Sequence, residues 1–485
     1  MKKICRLLIT GLVLTCLGCA IGPDYKRPDV NTPDKWRVDY AEARDLTNTR
    51  WWEQFNDPVL NELITVALQE NKDLLIASAR VEQYLGLYGR TRSFLFPQIG
   101  ASGSGYRERV TKDGRSPLPA DMNPVDNSFQ GLISAGWEFD IWGRNRRATE
   151  AARAELTGAE ETRNAVMLTL VASVANTYID LRDLDRELEI TRQTAALRGA
   201  TYDLFKERFA SGVVSELELS QVRSEYEKAL ATIPRIEKSV IQTENALSIL
   251  LGRNPAPITR GKDIDVLSIP CVPAGIPSDL LTRRPDIRQA EADLVAANAR
   301  IGVARSQYFP SISLTGYDGT ASAEFDELFD SSSHIWSYGL EATVPIFTFG
   351  RISGSVKAAE AMQQQTLFRY QQAIQNAFRD MDDALIDQQK SQEELAAQTR
   401  QVDALQNYAR LARLRFDEGY TSYLEVLDAE RSLFNEQLNL TQIQAGTLRS
   451  LVNLYKAMGG GWVVEADAMT EPKKDAEQPQ NIEQK

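Results

Sequence analysis

At 485 residues the chain can bury a large core, and length alone allows two to four domains. A formal net charge of −12 argues against nucleic acid as a partner. A single histidine, His334, removes the usual base of a Ser or Cys triad and most zinc sites.

In chain order, Lys2, Lys3 and Arg6 precede an apolar run from Leu7 to Leu17. That pattern predicts a secretory leader over 1–18, too short to stay as a spanning anchor. Its removal takes away three positive charges and both Cys5 and Cys16, leaving Cys19 and Cys271. The stretch CLGC resembles the lipobox of bacterial lipoproteins, with Cys16 where leucine is usual. That resemblance implies a lipid on the Cys19 thiol, and Ala20 after it implies sorting to the outer membrane. With Cys19 acylated no intramolecular disulfide is possible. An ordinary leader followed by an incidental cysteine is the alternative.

The chain repeats itself. RSFLFPQIGASG from Arg92 and RSQYFPSISLTG from Arg305 lie 213 residues apart, and Asp73, Ala77 and Ala79 recur at the same offset as Asp286, Ala290 and Ala292. At offset 207, Gly143-Arg144, Arg208-Phe209, Gly212, Ser215, Leu217 and Gly252 recur as Gly350-Arg351, Arg415-Phe416, Gly419, Ser422, Leu424 and Gly459. The first repeat covers 58–252 and the second 286–460. A proline-rich linker joins them over 253–285.

Each repeat opens with Ala-rich helical sequence, from about Pro58 to Arg92 and from Ile287 to Ser306. A period of two follows, predicting strand hairpins within 96–142 and 309–349. Ile99 and Ala101 alternate with Gln98 and Ser102. Ile133, Ala135, Trp137, Phe139 and Ile141 alternate with Ser134, Glu138 and Asp140. In the second hairpin Ile312 and Leu314 oppose Ser311, Ser313 and Thr315, and Trp336, Tyr338, Leu340, Ala342, Val344 and Ile346 oppose Ser337, Glu341 and Thr343. Strands of roughly ten residues reach across a bilayer when tilted. A soluble sheet with one buried face fits the same alternation, but acids and small hydroxyls on one face suit a water-filled lumen. Four strands cannot close a barrel alone, so in lipid the remaining strands must come from other chains.

Long proline-free helical patterns follow over 144–209 and 351–416. Apolar residues at Met167, Val171, Val174, Tyr178 and Leu181, and again at Ile374, Phe378, Met381 and Leu385, form seams for packing against long neighbours. Gly212 and Gly419 are the expected C-caps, and Ser215 and Ser422 the expected N-caps of the returning helices, which run to 252 and 458. The segment 461–485 reads as a C-terminal segment ending in a disordered tail.

CAIGPDYKRP, WWEQFNDPVLNELITVALQENKDL, RRPDIRQAEADLVAANARIGVARSQYFPSISLTG, the FGR at Phe349 to Arg351, GYTSYLEVLDAERSLF and LYKAMGGGW together resemble the outer-membrane factor family. These are TolC-like efflux channels, here of the lipoprotein branch. The resemblance implies a homotrimer with a 12-stranded transmembrane β-barrel, four strands per chain, continued by a 12-helix periplasmic barrel. It places 19–57 and the region after 460 in an equatorial belt. It implies passive conduction, with a periplasmic adaptor protein and an inner-membrane pump of the resistance-nodulation-division type as partners. Arg415, Phe416, Leu424 and Asp428 match the family's periplasmic gate; Gly212, Ser215, Gly419 and Ser422 fall in the tip turns that meet the adaptor. Gln221 stands where the first repeat would carry a second acid, so a six-acid ring is not expected. No cofactor is expected beyond the lipid on Cys19, and no enzymatic activity. Gly459-Gly460-Gly461-Trp462 lacks the Lys-Ser/Thr of a phosphate loop. A protein-secretion duct and a lipid-anchored coiled-coil tether are the alternatives. The tether would not need strands with two contrasting faces.

Overall fold

The computed structural model describes residues 20–30, 36, 50–111, 119, 123–267 and 280–459. The leader, Cys19, Cys271 and the segment 461–485 lie outside the described residues. Helices α1 (Pro58–Glu70) and α2 (Lys72–Ser93) lead into strands β1 (Gln98–Arg109) and β2 (Val125–Phe139), then α3 (Arg144–Ala210) and α4 (Glu216–Leu250). A helical turn, Leu280–Arg283, precedes α5 (Pro285–Ser306), β3 (Ser311–Ser322), β4 (His334–Thr343), α6 (Arg351–Asp417) and α7 (Tyr423–Ala457). The two repeats are thus built alike: α3 and α6 have 67 residues each, α4 and α7 have 35.

The chain divides into two compact units between Asp29 and Val30 and at points inside α2, α3, α5 and α6. The first unit holds the sheet, antiparallel throughout in the order β1-β2-β3-β4. Its register keeps the two predicted faces apart. Ile99 pairs with Ala135, Ala101 with Ile133, and Leu314 with both Trp137 and Leu340. On the other face Ser313 lies between Glu138 and Glu341. The apolar face is bare: Ile99, Ile133, Trp336, Tyr338 and Leu340 are 61 to 76% exposed. Neither edge strand, β1 or β4, has a further partner among the described residues.

Both hairpins are shorter than their alternation suggested: β2 stops at Phe139, and Asp140 leaves the strand face to accept from Asn145 N at 3.0 Å and Arg146 N at 2.8 Å at the start of α3. β4 stops at Thr343, leaving Val344 and Ile346 outside the sheet, because Pro345 has no N–H to donate. The chain then reverses through Phe349 and Gly350, both left-handed, to start α6. His334 begins β4 and contacts Asp318 at 2.9 Å. Asp318 itself sits in the apolar row, opposite Trp336.

The second unit is helical. Met167, Val171, Val174, Tyr178 and Leu181 of α3 are fully buried, as are Met381 and Leu385 of α6, with Ile374 1% exposed. Phe378, expected in the same seam, is half-buried and faces Trp36, 6.3 Å between ring centres. An 18-residue stretch of α3 is apolar enough to cross a membrane, but 56% of it is buried inside the protein, so helix packing accounts for it. Asp57, fully buried, caps α1 through Val59 N (2.9 Å) and accepts from the Tyr178 hydroxyl (2.7 Å) and from Lys262 N (3.0 Å). That carboxylate ties the linker to the helical core, together with Arg182, which donates to Lys262 O at 3.0 Å, and Arg260, which pairs with Asp185 at 2.9 Å.

RRPDI has a structural cause. Pro285 is the first residue of α5, where its missing N–H costs nothing. Arg284 reaches the carbonyl of Ala457 at the end of α7 (3.3 Å) and pairs with Asp286 (2.6 Å) and Asp380 (3.1 Å). Gly459 closes that helix at φ 81°, where a Cβ would meet Arg284 Cγ at 2.6 Å. One arginine therefore caps the end of the second repeat and steadies its beginning.

Candidate functional site

The strongest sequence candidates cluster where the long helices turn back. α3 and α6 end in the same C-cap motif. Gly212 (φ 72°) donates to Phe209 O at 2.9 Å and Val213 N to Arg208 O at 2.8 Å; Gly419 (φ 77°) donates to Phe416 O at 3.0 Å and Tyr420 N to Arg415 O at 2.8 Å. The backbones of Arg415 and Phe416, two of the candidate gate residues, are therefore set by the cap itself.

The returning helices start differently. Ser215 makes a capping box with Glu218: its Oγ accepts from Glu218 N at 3.2 Å, and Glu218 Oε2 accepts from Ser215 N at 2.8 Å. Those bonds hold the Glu218 carboxyl below its ordinary range. Ser422 is the N-cap residue, as expected, but its side chain makes no cap hydrogen bond, and Glu425 N donates to Ser422 O at 3.2 Å instead. The Glu425 carboxyl, the counterpart of that of Glu218, does not close the other half of a capping box either, because it is drawn elsewhere. It accepts from Arg415 Nη1 at 3.0 Å and from the Thr421 hydroxyl.

Around the turns, Phe416 stacks on Phe205 (6.5 Å) and meets Tyr423 edge-on (5.2 Å), while Phe205 and Tyr423 lie 4.4 Å apart. Phe205, Val222, Ala412, Tyr423, Val426 and Ala429 make the buried core beneath. The other two candidates point outward: Leu424 is 58% exposed, and Asp428 pairs with Arg431 at 2.7 Å on the surface. Val213 and Leu217 at one turn, and Tyr420 and Leu424 at the other, are repeat-equivalent apolar side chains left in the open. Glu425, Arg431 and Tyr423 escaped the sequence reading. The i, i+3 spacing of Asp428 and Arg431 could have revealed that pair; the Arg415 to Glu425 contact spans a turn and has no periodic signature.

A second polar layer lies further along the helices. Arg198 on α3, 7% exposed, reaches Glu225 on α4 (3.1 Å) and stacks over Phe434 on α7 (5.0 Å). Glu430 on α7 lies near it and contacts Arg413 on α6 at 3.5 Å. Burial raises the Glu430 carboxyl above its usual range, and burial with Glu430 nearby pushes the Tyr423 hydroxyl up to about 12. A cavity of about 680 Å³ opens beside this layer, lined by Arg198, Thr201, Arg413, Glu430, Phe434 and Gln437 among others. No group of three or more His, Cys, Asp or Glu that could hold a metal occurs among the described residues.

The family model for outer membrane efflux proteins matches residues 63–253 and 276–460, one match per repeat. The solvent efflux pump outer membrane protein SrpC of Pseudomonas putida is 36% identical over 461 residues, covering 92% of this chain and 96% of that protein. The cation efflux system protein CusC of Escherichia coli is 34% identical, covering 94% and 99%. Among solved structures, the CmeC outer membrane channel of Campylobacter jejuni superposes with a TM-score of 0.87 at 25% identity over 93% of this chain and 98% of that one. The open state of the MtrE channel of Neisseria gonorrhoeae gives 0.82 at 30% over 92% and 99%.

Proposed function

The chain belongs to the outer membrane efflux protein family, and from that premise we propose that it works as a homotrimeric, lipid-anchored duct for small molecules. It is an outer membrane component of an efflux pump. The observation that carries the finer reading is the sheet: one bare apolar face, one polar face and two open edges. A lipid environment covers the first, a water-filled lumen suits the second, and only neighbouring copies satisfy the third. Three sheets of four strands would make a barrel of twelve, and three sets of the four long helices a tunnel.

In this reading nothing in the chain supplies energy. An inner-membrane pump, of the resistance-nodulation-division type, does the energised work, and a periplasmic adaptor joins the two. The turns at Gly212, Ser215, Gly419 and Ser422 present Val213, Leu217, Tyr420 and Leu424 to that adaptor. Arg415, Phe416, Leu424 and Asp428 narrow the entrance, with Glu425 holding Arg415 and Arg431 partly neutralising Asp428. Cys19 carries the lipid. The cargo is a small molecule of the kinds named for the relatives, an organic solvent or a cation.

The test is the mass of the detergent-purified protein together with its conductance in a planar bilayer. A trimer with small, cation-preferring currents is expected. A monomer without conductance would leave the tether in its place. Asp428→Ala is expected to raise conductance or lower cation preference, because three copies around an axis would form an acidic ring; identical single-channel records would remove Asp428 from the entrance.

A further inference from the structure

The conduit as described leaves GPDYKRP, the segment just after the cysteine, without a role. Residues 20–28 have no regular secondary structure, yet each turn of the segment is held. Ile21 N donates to Trp142 O at 3.0 Å, in the corner between β2 and α3. Asn298 of α5 donates to Pro23 O at 2.8 Å. Arg147 of α3, 5% exposed, binds Asp24 at 2.6 Å, and Glu291 of α5 accepts from the Tyr25 hydroxyl at 3.0 Å and from Arg27 at 2.5 Å. All of these groups belong to the same compact unit.

The backbones also meet more closely than side chains would allow. Gly22 has φ 113°, and a Cβ there would come within 2.6 Å of Gly302 Cα; a Cβ on Gly302 would come within 2.5 Å of Ile21 O. A Cβ on Gly143 would come within 2.6 Å of the Ala20 Cβ. The seat is built once per chain although its frame is built twice. Gly143 and Gly302 recur as Gly350 and Gly89, but the polar residues that grip the segment do not: Arg147, Asn298 and Glu291 correspond to Gly354, Leu85 and Ser78. The equivalent positions, Gly350 and Gly354 in the second repeat and Gly89, Leu85 and Ser78 in the first, keep the glycines and lack the grip.

We propose that Ala20 to Pro28 is a docking strap, which seats the modified N-terminus at the corner between β2 and α3 so that membrane attachment acts on a fixed point of the fold. The partner is the chain's own N-terminal segment, whose Ala20, the residue after Cys19, lies against Gly143. The role of the strap rests on the lipidation proposed above; its docking does not. A free segment of nine residues would be a leash on the order of 30 Å long when extended. Docked, it moves with the helices it grips.

The experiment is brief trypsin treatment of the full-length protein in detergent, with mass spectrometry of the peptide ending at Lys26. Cleavage there requires the strap to leave its seat, so the wild type is expected to resist. Gly22→Val, which alters the strap and leaves α3 and α5 intact, should raise that cleavage at least tenfold. The double variant Asp24→Asn/Tyr25→Phe removes polar contacts without adding bulk and should raise it several-fold. Wild-type cleavage as fast as that of a free peptide of the same sequence, or no change in either variant, overturns the strap. The mass of the released peptide reports separately on Cys19: an acylated peptide supports the lipid anchor, and an unmodified one ends that reading while leaving the docking result as it stands.

Discussion

Arg198→Met should cost the folded protein about 3–5 kcal/mol, the usual loss when one member of a buried ion pair is removed. Arg198 is 7% exposed and joins three helices: its own α3, α4 through Glu225, and α7 through the Phe434 ring. Methionine fills much of the same volume but leaves Glu225 Oε2, already buried and without a hydrogen bond, facing an apolar side chain. Burial lowers the Arg198 pKa, while Glu225 and Glu430 oppose that shift, so the guanidinium stays charged between the two acids. The measurement is the thermal midpoint of detergent-purified protein for Arg198→Met, Glu225→Gln and the double variant. The double variant should recover most of the loss, because it removes the stranded charge together with its partner. Losses that simply add would show that Arg198 contributes packing alone.

Much of the architecture was open to inspection before any coordinates, because it is written twice. Gly212 and Gly419 needed only the repeat offset and the rule for helix ends, and both take the left-handed backbone. The strand faces followed from alternation, and the register of Glu138, Ser313 and Glu341 preserves them. What stayed hidden breaks the repeat or the period. Ser422 matches Ser215 in sequence, yet Glu425 is captured by Arg415 instead of closing a capping box. Arg198 looked like any charged helix residue, since Glu225 lies 27 positions away and Phe434 on the second repeat. The strap has neither a period of two nor one of 3.6, and its grip comes from α3 and α5, more than a hundred residues downstream. Asp318 is the plainest exception: alternation placed an acid among apolar neighbours, and only its contact with His334 accounts for it.

Asp183→Asn should stabilise the protein, and by more as the pH rises. Asp183 on α3 is 7% exposed, and its Oδ1 has no hydrogen-bond partner. Burial first, and then the neighbouring Glu187, push its carboxyl up to about 7; the Thr441 hydroxyl and Arg449 pull the other way, and Asp180 adds a further negative charge. Glu187 is itself 8% exposed and accepts from Gln442 at 2.6 Å, while Arg449 pairs with Asp180. The unfolded carboxyl titrates near 4, so between about pH 4 and 7 the folded protein holds a proton that the unfolded chain has released. Stability therefore falls as pH climbs through that window, and above pH 7 the whole cost is present, on the order of 4 kcal/mol as an upper bound. Asparagine keeps the shape and cannot ionise. Thermal midpoints of wild type and variant should lie close together near pH 4 and diverge up to about pH 7, then run parallel to pH 8.5. A variant whose midpoint follows the wild-type pH dependence throughout would show that Asp183 is already charged in the folded protein, and that the seam between α3 and α7 accommodates two neighbouring carboxylates.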